Sequence, residues 1–314
     1  MDRRSLLVSG LAASLAACAR GGGASPAALK VGSQKGGTKA LMTASGALAG
    51  AGFRVEWSEF AAAQPLLEAI AAGAVDVGAV GDAPFLFAFA SGTPIKAVQA
   101  SKASGGGSGT QILVPGKSAI RSAADLRGRK IATGRGSIGH YVLLRVLERE
   151  GIKPAEVAII FLAPGDAKAA FSSGAVDAWA TWGPYVALAK VDGARALADG
   201  KGILSGYGFD VSGPRAIAVK RPQLEDFLRR LARAKRWVAD HKAEYAAVLA
   251  KETGLALAIT SYTVANTRSE PVPIDAAVLA EEQRTLDGFR AAGALTASPD
   301  LAKGFDPSFN TALT

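Results

Sequence analysis

The sequence predicts an α/β protein of two similar lobes that face each other across a cleft. A short strand, a Gly-rich loop, a helix and a Gly-Ala-Val-Asp box follow one another in this order twice, about a hundred residues apart. The boxes stand at residues 73–76 and 174–177, and each leads into an apolar run that ends near a proline. Strands that alternate with helices are typical of buried, mainly parallel sheets. Two such units in one chain therefore predict two lobes and a cleft.

Local patterns predict the individual elements. Short apolar runs bounded by turn residues predict strands, and apolar residues at helical spacing predict helices. The predicted strands are 28–32, 75–80, 111–114, 130–133, 158–162, 178–181 and 216–220. The predicted helices of the two repeats are 38–49, 64–72, 138–150 and 167–172.

The last third of the sequence reads as helical. A long amphipathic stretch runs over 222–251, and further helices are expected over 257–267 and 275–292. The strand predicted at 216–220 follows the second repeat, which indicates that the chain returns there to the first lobe.

This arrangement predicts the lobe boundaries. The first lobe is expected to contain 28–114 and 216–314, and the second to contain 115–215. The two crossings, near 114–117 and 212–216, would form a hinge.

The first residues predict export. A basic start, an apolar run over 5–17 and then Cys18 follow the order of a signal peptide, and the run is shorter than the roughly 20 residues of a membrane span. Leu-Ala-Ala-Cys looks like a lipobox, so we expect a signal peptide over 1–18, acylation of Cys18 and a flexible tether over 19–27. Cleavage without acylation and a twin-arginine route through Arg3 and Arg4 remain open.

Composition narrows the class of protein. The 314 residues carry a net charge of +9, which favours anionic partners, but no nucleic-acid-binding motif is present. The single cysteine excludes an internal disulfide. The basic run 229–236 has helical spacing and predicts a solvated helix face.

The loops that open the helices carry the candidate binding residues. Glycine lets backbone N–H groups approach a ligand, and a helix N-terminus favours negative charge. Their paired placement in both lobes predicts an anion site. The candidates from these loops are Gln34, Gly37, Thr38, Gly81, Asp82, Ala83, Ser137, Gly139 and His140.

Aromatic residues predict the opposite wall of the cleft. Trp182 and Tyr185 flank a proline turn at the end of a predicted strand, where ligands often bind. Trp179, three residues earlier, is expected in the core.

Enzyme chemistry is not favoured by the motifs. Residues 134–139 satisfy G-x-G-x-x-G, so a dinucleotide-binding enzyme remains an alternative. A hydrolase elbow around Ser137 would need glycine at Arg135. His140 and His241 are the only histidines, and no carboxylate cluster surrounds either one. We expect no catalytic residues, no cofactor and no metal.

Taken together, several segments resemble one family. They are 33–38, 57–60, 66–84, 112–115, 125–128, 136–137, 140–141, 161–171 and 174–185. The chain resembles the substrate-binding proteins of bacterial ABC importers, in the group for aliphatic sulfonates, taurine and nitrate. The resemblance implies a type II periplasmic binding protein fold, whose lobes close on a ligand by hinge motion. It also implies a periplasmic, monomeric protein that binds an aliphatic sulfonate and docks on a permease of the inner membrane.

Two positions depart from the family pattern. Similar sulfonate binders tend to have an aromatic residue where Gly37 stands and aspartate where Gly183 stands. The losses would widen the pocket and weaken recognition of an amine, so we expect an alkyl or bulkier sulfonate to bind better than taurine. Taurine, nitrate, an aromatic sulfonate or a neutral nitrogenous compound remain alternative ligands. A structural lipoprotein without a ligand remains an alternative as well.

Overall fold

The structure is a computed structural model and describes residues 28–266 and 269–313. The predicted signal peptide, the tether and Cys18 lie outside the described residues. Within the described ranges, no helix has both the length and the apolar character that a bilayer span requires.

Six strands form the first sheet. Their spatial order is β11 (Ser269–Val272), β4 (Lys96–Ala103), β10 (Tyr207–Ser212), β3 (Val77–Gly81), β1 (Ala28–Gln34) and β2 (Arg54–Phe60). Strand β1 pairs in parallel with both β2 and β3, whereas β10 runs antiparallel to β3.

Five strands form the second sheet. Their order is β7 (Ala158–Phe161), β6 (Lys130–Thr133), β8 (Ala178–Trp182), β5 (Thr110–Pro115) and β9 (Ala194–Asp199). Strand β6 pairs in parallel with β7 and β8, and β5 is antiparallel to β8. The three strands of each repeat therefore have the same parallel arrangement, β2-β1-β3 in the first lobe and β7-β6-β8 in the second, as the sequence repeat predicts.

Helices cover both sheets. The helices of the two repeats are α1 (Thr38–Ser45), α2 (Ala63–Ala71), α3 (Asp82–Ala90), α4 (Ile138–Arg149), α5 (Pro164–Ser172) and α6 (Gly183–Val191). The helices that follow are α7 (Pro214–Val219), α8 (Arg221–Trp237), α9 (Lys242–Thr253), α10 (Leu257–Asn266) and α11 (Ala276–Ala291).

The Gly-Ala-Val-Asp boxes perform the same task in both lobes. The glycine follows the end of α2 or α5 with φ of +73° or +76°, a conformation that glycine adopts without steric cost. The Asp76 carboxylate accepts a hydrogen bond from the Lys30 N–H at 2.7 Å, and the Asp177 carboxylate accepts one from the Lys130 N–H at 2.8 Å. Each aspartate thus ties the start of one strand to its neighbour.

The end of the predicted second lobe needs correction. Residues 216–220 were expected as a strand, but most of them belong to α7, which Pro214 opens at a position where its missing N–H costs nothing. The strand that returns to the first sheet is β10, earlier in the chain. The predicted helix 222–251 is interrupted between α8 and α9.

The crossings between the lobes are also earlier than predicted. Strand β4 lies in the first sheet and β5 in the second, so the first crossing is at 104–109 and not at 114–117. Strand β9 lies in the second sheet and β10 in the first, so the return crossing is at 200–206 and not at 212–216. The Gly-rich segment at 105–107 is therefore part of a crossing, where its small residues allow close approach of two backbone segments.

Candidate ligand-binding cleft

A cavity of about 830 Å³ lies between the two sheets. Its wall includes the residues at or just after the carboxyl ends of the parallel strands: Gln34, Ala61, Gly81, Gly134, Phe161 and Trp182. Open α/β sheets bind ligands at these ends, because the loops there are free of the sheet and can present backbone and side-chain groups. The predicted cleft between two lobes is therefore present.

In the part of the chain that the structure describes, five helices begin at this cavity. Residues at the N-termini of α2, α3, α4, α5 and α6 all contribute to the wall, among them Pro65, Pro84, Ser137, Pro164 and Gly183. A helix N-terminus carries a partial positive charge and N–H groups without partners inside the helix. The cavity is thus suited to a small anion, as the loops of the sequence predicted.

Arg135 adds a full positive charge to the wall. Among the described residues it is the one lysine or arginine that lines the cavity, and its guanidinium carbon lies 3.8 Å from the centre of the Phe161 ring. This stacking holds the plane of the guanidinium while its edge keeps N–H donors for an anion. The sequence patterns singled out Arg135 only as an argument against a hydrolase elbow and did not predict it at the cavity wall.

Ser137 and Gln34 are predicted residues that do line the cavity. The Ser137 hydroxyl oxygen accepts a hydrogen bond from the His140 N–H at 3.1 Å and caps α4, which leaves the hydroxyl proton free to donate. The Gln34 side-chain amide donates to the Ala79 carbonyl at 3.1 Å, which orients it at the cavity edge. Gly81 and Trp182 also line the cavity, as predicted.

His140 was predicted as a donor to the ligand, but it does not line the cavity. The residue is 3% exposed, and its Nδ1 accepts a hydrogen bond from the Gly136 N–H at 3.1 Å. Burial, with a smaller contribution from the nearby charge of Arg135, lowers the pKa of His140 to about 4. The imidazole is therefore neutral near pH 7, and it supports the loop that carries Arg135 and Ser137.

Five more predicted residues lie behind the cavity wall. Asp82 is 1% exposed and accepts hydrogen bonds from the Ala83 N–H and the Ser205 hydroxyl, so it faces the hinge. Burial raises the pKa of Asp82. The remaining four lie in or beside the first turns of α1, α3 and α4 and do not contribute to the cavity wall: Gly37, Thr38, Ala83 and Gly139. Several residues of each loop lie near the cavity, and the sequence alone does not show which of their side chains point into it.

Tyr185 joins the two lobes and does not itself line the cavity. Its hydroxyl donates to the Ala61 carbonyl oxygen at 2.8 Å, between α6 of one lobe and the loop before α2 of the other. Its ring meets Trp182 edge-on, with ring centres 5.9 Å apart and planes at 85°. Tyr185 therefore connects the aromatic wall of the second lobe to the first lobe. Trp179 is in the core at 1% exposure, as predicted.

Other residues of the wall were not singled out from the sequence. Phe87, Phe161, Glu68 and Thr263 line the cavity, and Glu68 is the one carboxylate that the described part of the chain brings to it. Phe161 directly ends β7 and its position could have been inferred from the repeat. Thr263 comes from α10, so no pattern in the repeats indicates it. In the described part of the chain, no three metal-binding side chains form a cluster.

A family profile described as NMT1/THI5 like matches residues 44–245, more than half of the chain. The chain belongs to the NMT1/THI5-like family. The matched span begins in α1 and ends in α9, so the cavity wall of this NMT1/THI5-like protein lies mostly within it.

Individual relatives share most of the chain's length. A putative aliphatic sulfonates-binding protein of Escherichia coli (strain K12) is 34% identical over 270 residues, 84% of each chain.

Solved structures share the fold of this NMT1/THI5-like protein. The alkanesulfonate-binding protein from Xanthomonas axonopodis pv. citri bound to MOPS is 35% identical, with a TM-score of 0.83 over 90% of this chain and 99% of that chain. The periplasmic aliphatic sulphonate binding protein from E. coli is 30% identical, with a TM-score of 0.76 over 90% of this chain and 93% of that chain. The predicted family and two-lobed binding-protein fold are confirmed.

Proposed function

We propose that the protein binds an organic sulfonate between its lobes and delivers it to the permease of an ABC importer. The observation that carries the proposal is the placement of Arg135 and Ser137 beside the N-terminus of α4, in a cavity where four other helices also begin. Relatives of at least 30% identity named as aliphatic sulfonate-binding proteins support this choice of anion.

The chemistry of a sulfonate suits these groups. Its three oxygens share one charge that stays ionised at any ordinary pH, so N–H and O–H donors can hold it without a proton-transfer partner. The neutral state of His140 agrees with this requirement. Closure of the lobes removes water and strengthens the charged hydrogen bonds. We infer binding without catalysis, and no cofactor or metal is needed for it.

The location and partners follow from the same proposal. Export through the signal peptide at 1–18 would place the protein in the periplasm, with Cys18 as the site of lipid attachment. We propose that it acts as a monomer and meets its permease with both lobes closed on the ligand. A mass measurement of the mature N-terminus tests the lipid: acylation adds the mass of the lipid to a chain that begins at Cys18.

The tail preference rests on Gly183, which lines the cavity. Gly37 has no side chain and does not line the cavity, so the widening expected from the missing aromatic residue stays a prediction. We retain the proposal that an alkyl or bulkier sulfonate binds better than taurine, because Gly183 offers no carboxylate to an amine. Equal affinities for taurine and 1-propanesulfonate, which differ in an ammonium against a methyl group, would contradict it.

Thermal unfolding with a ligand panel tests the proposed function. The mature chain is heated with alkanesulfonates, taurine, an aromatic sulfonate, sulfate, nitrate or NAD. A ligand at about 100 times its Kd stabilises the folded state by about 2.7 kcal/mol, which raises Tm by several degrees. We expect shifts with sulfonates and none with NAD. A shift with nitrate or NAD alone would overturn the proposal.

A further inference from the structure

Three aromatic side chains line the cavity from both lobes. Phe87 belongs to α3 of the first lobe, while Phe161 and Trp182 end β7 and β8 of the second. Alanines, prolines and glycines form most of the remaining apolar wall, beside Leu67, Ile138 and Leu162. Flat rings and small residues leave a space that suits a planar tail.

Each ring is held by its neighbours. Trp182 meets Tyr185 edge-on, and Tyr185 is itself tied to the opposite lobe through the Ala61 carbonyl. Phe161 carries the Arg135 guanidinium on one face. Rings fixed before the ligand arrives lose little freedom on binding, which favours affinity.

Phe87 connects the ring wall to the anion loop. Its ring centre is 5.5 Å from that of Phe289 with planes at 67°, and it rests on the backbone of Gly136, where a Cβ atom would overlap it. Gly136 lies between Arg135 and Ser137, so the charged donors and the rings share one end of the cavity. A ligand whose sulfonate is attached directly to a ring would meet both at once.

We propose that the ligand of this cleft is an aryl sulfonate, with the sulfonate at Arg135 and Ser137 and the ring against Trp182. This inference rests on the proposed function and deepens it. Aromatic pairs in offset or edge-on geometry gain free energy beyond the area that they bury. An aliphatic tail of the same size would gain only from burial.

Two matched ligands test the ring. Benzenesulfonate and cyclohexanesulfonate have the same sulfonate group and the same number of carbon atoms. The saturated ring of cyclohexanesulfonate is the larger and more apolar of the two. Burial alone therefore favours cyclohexanesulfonate. By calorimetry on the mature chain, we expect benzenesulfonate to bind about two- to tenfold more tightly. A Trp182→Leu variant should lose that ratio, Trp182→Phe should keep part of it, and Trp237→Leu, outside the cavity, should keep it fully.

The outcomes separate the two proposals. Equal or tighter binding of cyclohexanesulfonate, or tighter binding of linear alkanesulfonates than of benzenesulfonate, would overturn the aryl tail and leave sulfonate binding in place. Failure of every sulfonate to bind would overturn the proposed function and, with it, the aryl tail. The ratio measured on the unmodified protein decides between these outcomes even if Trp182→Leu does not fold.

Discussion

Within residues 28–266 and 269–313, Arg135 contributes the one full positive charge to the cavity wall, and the other donors there are neutral. Its position depends on its neighbours: Phe161 supports the guanidinium, and His140 accepts a hydrogen bond from the next residue, Gly136. At the scale of single residues, the proposed anion site is therefore a short loop held by one ring and one neutral imidazole.

Replacing Arg135 should remove most of the affinity for the sulfonate. Hydrogen bonds to charged groups contribute about 1.5–3 kcal/mol, so Arg135→Ala should weaken binding by about 10- to 150-fold. Calorimetry with a bound sulfonate measures the change. Arg121→Ala, an exposed arginine away from the cavity, is the control and should bind normally. Unchanged affinity of Arg135→Ala would mean that the anion lies elsewhere.

Gly183 offers a test of the tail's charge. Its φ is +51°, which aspartate and asparagine tolerate better than most residues, and a Cβ atom there would meet open space. Gly183→Asp should raise the affinity for taurine relative to 1-propanesulfonate, because the new carboxylate faces the ammonium group. Gly183→Asn has the same shape without the charge. Equal ratios in both variants would exclude this role for the position.

The buried carboxyl group of Glu282 should make the stability of the protein depend on pH. The residue is fully buried in α11, and neither carboxylate oxygen has a hydrogen-bond partner among the described residues. Burial, followed by the charges of Asp82 and Glu281, raises the pKa of Glu282 well above its usual 4.5. The folded state therefore keeps a proton that the unfolded chain releases above about pH 4.5. The free energy of unfolding is highest below that pH and falls as pH rises, until Glu282 ionises in the folded state as well.

Glu282→Gln should remove this dependence, because glutamine is neutral at every pH. Above pH 4.5, the free energy of unfolding of the variant should gain on the wild type by up to about 1.4 kcal/mol per pH unit until Glu282 itself ionises. Urea unfolding between pH 4 and 8 measures the difference. Glu225→Gln, at a partly exposed helical residue that pairs with Arg221 and is not among the groups that shift the pKa of Glu282, is the control. A constant difference across this range would contradict the assignment.

Helix α6 contributes one link between the lobes across the cleft, through Tyr185. It begins just after Trp182, so the ring wall and the Tyr185 hydroxyl sit on one rigid turn. The hydrogen bond from Tyr185 to the Ala61 carbonyl therefore fixes the aromatic wall of the second lobe relative to the first lobe.

Tyr185→Phe should loosen the closed arrangement. A typical hydrogen bond contributes about 0.5–1.5 kcal/mol, which corresponds to a ligand release about two- to twelvefold faster. Stopped-flow dissociation of the bound sulfonate measures this rate. Tyr207→Phe, on β10 and outside the cavity wall, should release the ligand at the normal rate. Identical rates in both variants would exclude Tyr185 as a link between the lobes.

At the scale of the whole molecule, the two segments that cross between the lobes, 104–109 and 200–206, contact each other. A Cβ atom at Gly107 would overlap the carbonyl of Gly200, and the Gly200 N–H donates to the Thr110 carbonyl at 3.0 Å. The Ala103 N–H donates to the Gly206 carbonyl at 2.8 Å. The chain thus leaves the first lobe and returns to it along one seam, about which hinge motion would occur.

Gly107→Ala should push the two crossings apart. It should also weaken ligand binding, although Gly107 lies outside the cavity. Overpacking costs about 1–3 kcal/mol, and the lobes would close less readily. Gly106→Ala is a matched control, because Gly106 also has a positive φ of +57° but meets no atom within 4 Å. Thermal unfolding and calorimetry compare the two variants. Equal effects would show that only the backbone conformation matters.

The repeat made much of the fold predictable. Two boxes with the same order imply the same strand arrangement, since Asp76 and Asp177 form equivalent backbone hydrogen bonds. Strand β10 was missed and residues 216–220 were assigned to a strand, because a short apolar run fits a strand or a helix equally well. The pairing of β10 with β3 involves residues far apart in sequence, which local patterns do not contain.

The sequence by itself determined the two lobes, the family and the loops that meet at the cleft, because periodicity, turn glycines and strand ends are local properties of the chain. Only the tertiary structure decided which side chains face the cavity. Arg135 and Ser137 face it, whereas His140 and Asp82 lie behind it. The reason is physical: a side chain's direction at a loop depends on what packs against it from the other lobe, and residues such as Phe87 reach the loop only after the chain has folded.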